Sequence, residues 1–242
     1  MRIFVSKEAV FSDYIDLLDD QFHHLSRVLR IKLGNKLDVV VDQHILMVID
    51  FIKFQDKRLY YKLIQRNEVC LSRPQITLFQ ALPKQDKFMS IIDGVTQCGV
   101  AEIYPILTDR SVVKFTDVKK KERVLRWQKQ AEQSAMQSKQ IQIPIIHSIL
   151  NFSDFLDQVD FSSYDLCVVA WEDELQVTVK PYLADTLIKK IGVFIGPEGG
   201  ISSNDIVDLQ SKGFKIMSIG STILRVDIAA IVAISQILFF YL

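Results

Sequence analysis

Two glycine-bearing segments in the last third of the chain hold the residue types best suited to chemistry. The apolar run Ile191–Ile195 passes directly into Gly196-Pro197-Glu198-Gly199-Gly200. Ser202-Ser203-Asn204-Asp205 then offers a helix N-cap, with Asp205 near the third helical position. Lys212-Gly213 predicts that helix's end, a cation in the last turn followed by a left-handed cap. The loop therefore lies between the C-terminal end of a strand and the N-terminus of a helix, where open α/β sheets bind ligands. Glycine lets a ligand approach the backbone closely, and exposed N–H groups there can hold polar atoms. A second segment, Ile219-Gly220-Ser221-Thr222-Ile223-Leu224-Arg225, repeats the plan: a glycine ends a strand, and Arg225 follows an apolar pair. Taken singly, each segment reads equally well as a tight turn capping a helix.

Other site chemistries lack their patterns. There is no G-x-x-x-x-G-K-[ST] loop for a nucleoside triphosphate, no G-x-G-x-x-G after a strand and no G-x-S-x-G elbow. His23, His24, His44 and His147 have no metal-ligand spacing beyond one adjacent pair, so no metal is expected. Cys70, Cys98 and Cys167 are odd in number and far apart. That argues against a disulfide scaffold or a cysteine zinc site and fits a reducing, cytoplasmic setting.

The elements that must position these loops follow from patterning. With 242 residues, 49% hydrophobic and 24% charged, the chain is a globular protein of one or two domains, not a disordered one. Lys36–Val41, Ile45–Phe51 and Leu59–Ile64 are β-rich runs, the first two separated by Asp42-Gln43-His44, and their spacing predicts a small barrel. A helical stretch is expected between Phe22 and Gly34, and Ser72-Arg73-Pro74 marks a boundary, giving domains 1–72 and 73–242. Beyond it, strands at Ile76–Leu82, Ile103–Leu107, Leu166–Ala170, Gly192–Ile195 and Phe214–Ile219 alternate with helical patterns. The helices include Phe88–Cys98, stopped by Gly99, and the polar Glu122–Gln140. This alternation predicts an α/β domain with a mostly parallel sheet.

No signal peptide is read at Met1–Glu8. The apolar stretch Ile228–Leu242 contains Ser235 and Gln236 and falls short of the ~20 residues that span a membrane. It predicts a buried C-terminal helix, part of it at a dimer interface. Charge is uneven: residues 1–148 hold 23 Lys/Arg against 17 Asp/Glu, and the remainder 6 against 12. The first part could face a polyanion, or could simply carry solvated charge. Lys119-Lys120-Lys121 is a basic run read as mobile.

Together these segments resemble the RsmE family of ribosomal RNA methyltransferases, in the knotted SPOUT superfamily, over nearly the whole chain. The anchors are Gly196–Gly200, for the family's I-G-P-E-G-G, and Ile219–Arg225, for its L-G-x-x-I-L-R with Ile219 at the usual Leu. His24-Leu25 through Val28-Leu29-Arg30, then Gly34, resembles the family's N-terminal barrel motif. Lys84 and Lys87, Gly99-Val100, Pro105, Arg110-Ser111, and Gln137-Ser138-Lys139 with Pro144 also match family positions. The chain departs from the family at Gln97, Gln140, Gln142, Val226, Asp227 and Ile228.

The resemblance implies a PUA-like β-barrel followed by an α/β SPOUT domain with a mostly parallel sheet and a trefoil knot. It implies S-adenosyl-L-methionine as cofactor, a homodimer, and methylation of N3 of a uridine in small-subunit (16S) ribosomal RNA. Carried onto this sequence, the cofactor site comprises Ile195, Gly196, Pro197, Glu198, Gly199, Gly200, Ile219, Gly220, Ile223, Leu224 and Arg225. Bare glycine is needed there because a Cβ would fill the cofactor's space, while Ile195, Ile223 and Leu224 give the adenine apolar contact. Uridine N3 is a poor nucleophile until its proton leaves, so Arg225 is the candidate for stabilising the anion or gripping a phosphate. Glu198 and Asp227 are the base candidates. RNA would be held by Arg27, Arg30, Lys32 and Lys36 on the barrel, with Lys84, Lys87 and Arg110 nearer the site. Two other readings stand beside this one: a non-catalytic RNA-binding or ribosome-assembly protein on the same fold, and a SPOUT enzyme acting on another RNA nucleotide.

Overall fold

The computed structural model describes residues 2–70, 73–84, 87–111, 115–184 and 187–241. The chain forms two compact units, Met1–Leu71 with Ala135–Ile143, and Ser72–Ser134 with Pro144–Leu242. Ser72, at the expected boundary, lies outside the described residues.

The first unit is a five-stranded sheet. β1 (Arg2–Val5) pairs in parallel with β3 (Lys36–Val41), which pairs antiparallel with β4 (Ile45–Gln55). β4 continues antiparallel to β5 (Arg58–Glu68), and β5 to β2 (Tyr14–Asp16). In the order β1-β3-β4-β5-β2 the two short strands stand at the edges, so the sheet is a half-barrel where the strand spacing predicts a small barrel. Period-two alternation builds its core: Ile45, Met47, Ile49 and Phe51 of β4 all point inward, against Leu37, Val39 and Leu59. The expected helical stretch is shorter and earlier. α1 (Asp19–His23) runs into a single wide turn at His24–Val28, and Arg30, with φ of 48°, cannot continue it. Arg2, only 7% exposed, bonds Asp38 at 3.1 Å and the Gln140 and Lys139 carbonyls, while Ile143 N–H donates to Gln43 at 2.7 Å. These contacts bring 135–143 into the first unit, although the division at 72/73 assigns that segment to the second.

The second unit is an α/β layer structure. Its strands are β6 (Gln75–Ala81), β7 (Glu102–Leu107), β8 (Ile145–Ile146), β9 (Leu150–Asn151), β10 (Leu166–Ala170), β11 (Lys190–Ile195) and β12 (Lys215–Met217). The sheet order is β12-β10-β11-β6-β7-β8, with β9 also on β7, and every pairing is parallel. Burial on both faces explains why β10 and most of β11 read as apolar runs, while β6 also buries Thr77 and Gln80.

The helices are α2 (Lys87–Cys98), α3 (Asp117–Gln137), α4 (Phe152–Gln158), α5 (Ser203–Ser211) and α6 (Val226–Phe239). One sheet face buries a phenylalanine cluster in which Phe155 lies 5.0 Å from Phe79 and 5.8 Å from Phe194. α2 packs on α6, where Gly94 leaves room for Ile231. α3 starts before the expected Glu122 and takes Lys119–Lys121 into its helix, so that run is not a loop. α6 buries Ala230, Ala233, Ile234 and Ile237, but Ile228 (43%) and Phe239 (73%) are exposed, so the apolar C-terminal stretch is only half buried; Leu242 lies outside the described residues.

Candidate functional site

Three adjacent strands end level. Ala170 pairs with Ile195 across β10 and β11 and with Met217 across β10 and β12, so the loops that start at Trp171, Gly196 and Ser218 leave the sheet side by side. Between them lies a cavity of about 290 Å³. Its wall includes the Gly196–Gly200 loop and Ser218–Leu224, with Ile195, Val226 and Ala229 supplying apolar surface. Ten of the eleven expected cofactor residues line it; Arg225 is the exception. The third loop was not singled out from the sequence, yet Trp171, Glu172, Glu174 and Leu175 line the cavity too. The signal available was the apolar run Leu166–Ala170 followed at once by the acidic Glu172-Asp173-Glu174, another strand end of the ligand-binding kind.

Polar contacts fix the loops, beside the burial of Ile201 in the core. Glu198 accepts from the Lys84 amide at 3.0 Å and from Lys87 Nζ at 2.9 Å. Burial alone would push its carboxyl up, but these two donors outweigh it and hold the group below the ordinary glutamate range. Arg110 Nη1 donates to the Gly199 carbonyl at 2.9 Å and the Ile201 carbonyl at 3.4 Å. Glu172 accepts from the Ile201 amide at 3.3 Å. The expected N-cap is present: Ser202 Oγ accepts from the Asp205 amide at 3.1 Å, and Gly213, with φ of 90°, closes the far end. On the second loop, Gln236, a polar residue in the apolar α6, donates to the Ile219 carbonyl at 3.1 Å, and the Ser218 amide donates to the Val177 carbonyl at 2.6 Å.

The loop glycines differ in what a side chain would meet. A Cβ on Gly196 would lie 2.6 Å from Cγ1 of the buried Ile201. One on Gly200 would fall on the Glu172 carboxylate, at a backbone φ of 74° that side chains avoid. In both cases protein atoms, not cofactor space, exclude the side chain. Gly199 meets Arg110 Cβ at 3.4 Å, an ordinary contact, so a Cβ there is tolerated. Gly220, with φ of 145° and nothing within 4 Å, borders open space as expected for a cradle. Ile223 is 92% exposed, so its side chain stands on the rim and makes no apolar wall, unlike the buried Ile195.

Arg225 is the N-cap residue of α6 and forms a two-pronged pair with Asp227 in the first turn, at 2.8 and 3.3 Å. Burial pushes the Asp227 carboxyl up, but Arg225, its own backbone amide and Lys87 together outweigh this and hold it below the usual aspartate range. The Arg225 side chain keeps 73% of its surface exposed. In the first unit Arg27, Arg30, Lys32 and Lys36 are all exposed, and none is drawn into an ion pair among the described residues. In the second, Lys84 is exposed, whereas Lys87 and Arg110 are engaged with the loop as above. No group of three or more metal-ligating side chains occurs among the described residues, and no helix among them is long and apolar enough to cross a membrane.

Residues 71–238 match the RNA methyltransferase domain family. The chain is 30% identical over 241 residues to ribosomal RNA small subunit methyltransferase E of Synechocystis sp., covering 98% of this chain and 76% of that one. It is 28% identical to the protein of the same name from Rickettsia conorii, covering 98% and 94%. Among solved structures, ribosomal RNA small subunit methyltransferase E from Neisseria gonorrhoeae, bound to S-adenosyl methionine, superposes with a TM-score of 0.83 at 20% identity, covering 99% of this chain and 97% of that one. A Legionella pneumophila structure in complex with the bound cofactor SAM gives 0.85 at 23%, covering 99% and 97%. These two likenesses are likenesses of fold.

Proposed function

The chain belongs to the RNA methyltransferase family that includes ribosomal RNA small subunit methyltransferase E, and from that premise we propose that it methylates N3 of a uridine in small-subunit ribosomal RNA, using S-adenosyl-L-methionine. The observation that carries this reading is the cavity at the level ends of β10, β11 and β12. Its chemistry fits the cofactor. Apolar Ile195, Leu224 and Val226 suit a purine face, and the backbone of two glycine loops suits purine and ribose edges. Glu172 and Glu174 at the mouth suit a cationic ligand.

S-adenosyl-L-methionine supplies an electrophilic methyl group when bound, so the protein's work is positioning and charge control. Gly220 leaves open space beside the cavity, and Gln236 and Ser218 hold its loop in place. Glu198 and Asp227 are both held below the ordinary carboxylate range, away from the operating pH at which a general base works best. The arrangement therefore favours Arg225 as the group that stabilises the uridine anion, with Asp227 orienting it. Exposed Arg27, Arg30, Lys32, Lys36 and Lys84 suit phosphates, which give salt-dependent affinity without reading sequence.

The finer architecture belongs to the same proposal. The half-barrel serves as a PUA-like RNA-binding domain at 1–72, and 73–242 is a SPOUT domain with a trefoil knot. The half-exposed apolar α6, with Ile228 and Phe239 uncovered, supports a homodimer. A ribosomal RNA substrate supports a cytoplasmic site of action.

Calorimetric titration with S-adenosyl-L-methionine, followed by mapping of N3-methyluridine in small-subunit ribosomal RNA incubated with the protein, tests the reading. Binding and a new N3-methyluridine are expected. Binding with methylation at another nucleotide would replace the substrate, and no binding up to millimolar cofactor would move the reading to a non-catalytic RNA-binding protein.

A further inference from the structure

Arg110 is a residue whose sequence context suggests an RNA contact but whose geometry turns it toward the protein. It sits in a turn built to present it. The Ser111 amide donates to the Thr108 carbonyl at 2.9 Å, and the Thr108 amide donates to Ser111 Oγ at 3.2 Å, closing the turn on itself. Thr108 is buried, which anchors the turn at the end of β7. From that platform Arg110 Nη1 spans the Gly199 and Ile201 carbonyls, and its Cβ lies beneath Gly199. Ile201 is gripped at both backbone groups, since Glu172 takes its amide. Hydrogen bonds from an ionised donor are roughly twice as strong as neutral ones.

We propose that Arg110 is a positioning residue for the cofactor loop: it fixes the backbone from Gly199 to Ile201 and thereby sets affinity for S-adenosyl-L-methionine, not for RNA. The inference rests on the cofactor reading above. It also explains why a serine follows the arginine, because without the Ser111 latch the turn loses the bond that aims Arg110 at the loop. Lys87 is committed in the same direction through Glu198, so the two cations on either side of Gly196–Gly200 both serve the loop.

The test uses the full chain as wild type, Arg110→Ala and Arg110→Lys. Three readouts are needed: cofactor titration, affinity for a small-subunit ribosomal RNA fragment across a salt series, and amide hydrogen exchange of residues 196–203 without cofactor. Arg110→Ala should weaken S-adenosyl-L-methionine binding about tenfold, as expected for a lost charge-assisted hydrogen bond. KM for the cofactor should rise with kcat and KM for RNA unchanged. Exchange at 196–203 should quicken, and the slope of RNA affinity against salt should stay as in wild type. Arg110→Lys, able to reach one carbonyl but not to bridge two, should recover part of the affinity and, by folding normally, separate a local effect from misfolding. Cofactor affinity within about twofold of wild type, or a salt slope reduced by about one with loop exchange unchanged, would overturn the proposal and return Arg110 to the RNA surface. If wild type itself binds no cofactor, the functional reading fails, and the exchange comparison still decides whether Arg110 holds the loop.

Discussion

The two ends of the parallel sheet hold similar kinds of residue to different effect. At the N-terminal ends of the strands, Glu102 of β7 meets His147 Nε2 at 2.8 Å and Lys190 Nζ at 3.8 Å, His147 stacks on Tyr104 at 3.7 Å, and Lys190 lies 4.2 Å above the Tyr164 ring. These groups are answered by one another's side chains, while Asp165, just before β10, takes the Lys189 and Lys190 amides. The His147 hydrogen bond, opposed by burial and helped by Lys190, holds the Glu102 carboxyl low, and burial drives the Tyr164 phenol up. At the C-terminal ends, beside the Lys87–Glu198 and Arg225–Asp227 pairs, the carboxylates and cations also clasp loop backbone: Glu198 takes the Lys84 amide, Arg110 two carbonyls, Glu172 the Ile201 amide. Those contacts shape three loops around a cavity of about 290 Å³. A dense side-chain cluster therefore marks the closed, structural end, and the glycine-bearing end is the one with room for a ligand. Perturbed carboxyls alone do not distinguish a site from an ion-pair network.

This contrast can be broken most directly at Gly196. Gly196→Ala forces a methyl group against Ile201, and the overpacking should cost ~1–3 kcal/mol in a denaturant melt. It should also weaken cofactor binding in calorimetry. An unchanged melt and unchanged binding would mean that the loop is not held as tightly as its contacts imply. Next in size, S-adenosyl-L-methionine at a hundred times its Kd should stabilise the protein by ~2.7 kcal/mol. The protection from hydrogen exchange should concentrate at 171–177, 196–203 and 218–225 and spare the strand starts near Glu102; uniform protection would erase the distinction between the two ends.

A smaller effect is expected at the closed end. Glu102→Gln should cost ~1 kcal/mol at neutral pH, the net worth of an ordinary hydrogen bond, since glutamine can still accept from His147. Because the folded carboxyl titrates below its unfolded value, its stabilisation is complete above an unfolded pKa of about 4.3 and disappears as the pH falls through the lower folded value. Wild type and variant should therefore converge in melts as the pH falls through that lower folded value; a gap that persists in stronger acid would assign the loss to packing. The same change should leave cofactor affinity untouched. Smallest of all is a labelling contrast. Cys167 lies buried in β10, between the two ends, and burial pushes its thiol up to about 12, whereas Cys70 is exposed. A thiolate-directed reagent at pH 8 should modify Cys70 and spare Cys167, and mass spectrometry of the digest reads the outcome. Labelling at Cys167 would reveal opening of the strand that joins the cluster to the cavity.

Much of this was legible in the residues. The run Leu166–Ala170 matches β10 end to end, because a strand buried on both faces must be apolar throughout. The N-cap at Ser202 and the stops at Gly99 and Gly213 follow from local backbone chemistry, and the structure has each of them. The helical stretch expected between Phe22 and Gly34 starts earlier and ends at Val28, because Arg30 adopts a left-handed conformation that a helix cannot continue. The Trp171–Leu175 loop was missed because no glycine announces it; its place in the cavity depends on β10 lying between β11 and β12.

What the sequence determines by itself is whatever depends on near neighbours along the chain: strand and helix identity, caps, and the two glycine loops that a resemblance could anchor. Sheet order, and with it the meeting of three loops separated by tens of residues, comes only from tertiary structure. So does the direction in which a charged side chain turns. Arg110 and Lys84 look alike as exposed cations near a strand end, yet the guanidinium of one is bound to loop carbonyls across 89 positions of sequence and the ammonium of the other is left to solvent. That choice depends on which backbone groups lie unpaired within reach, and only the folded chain brings them there.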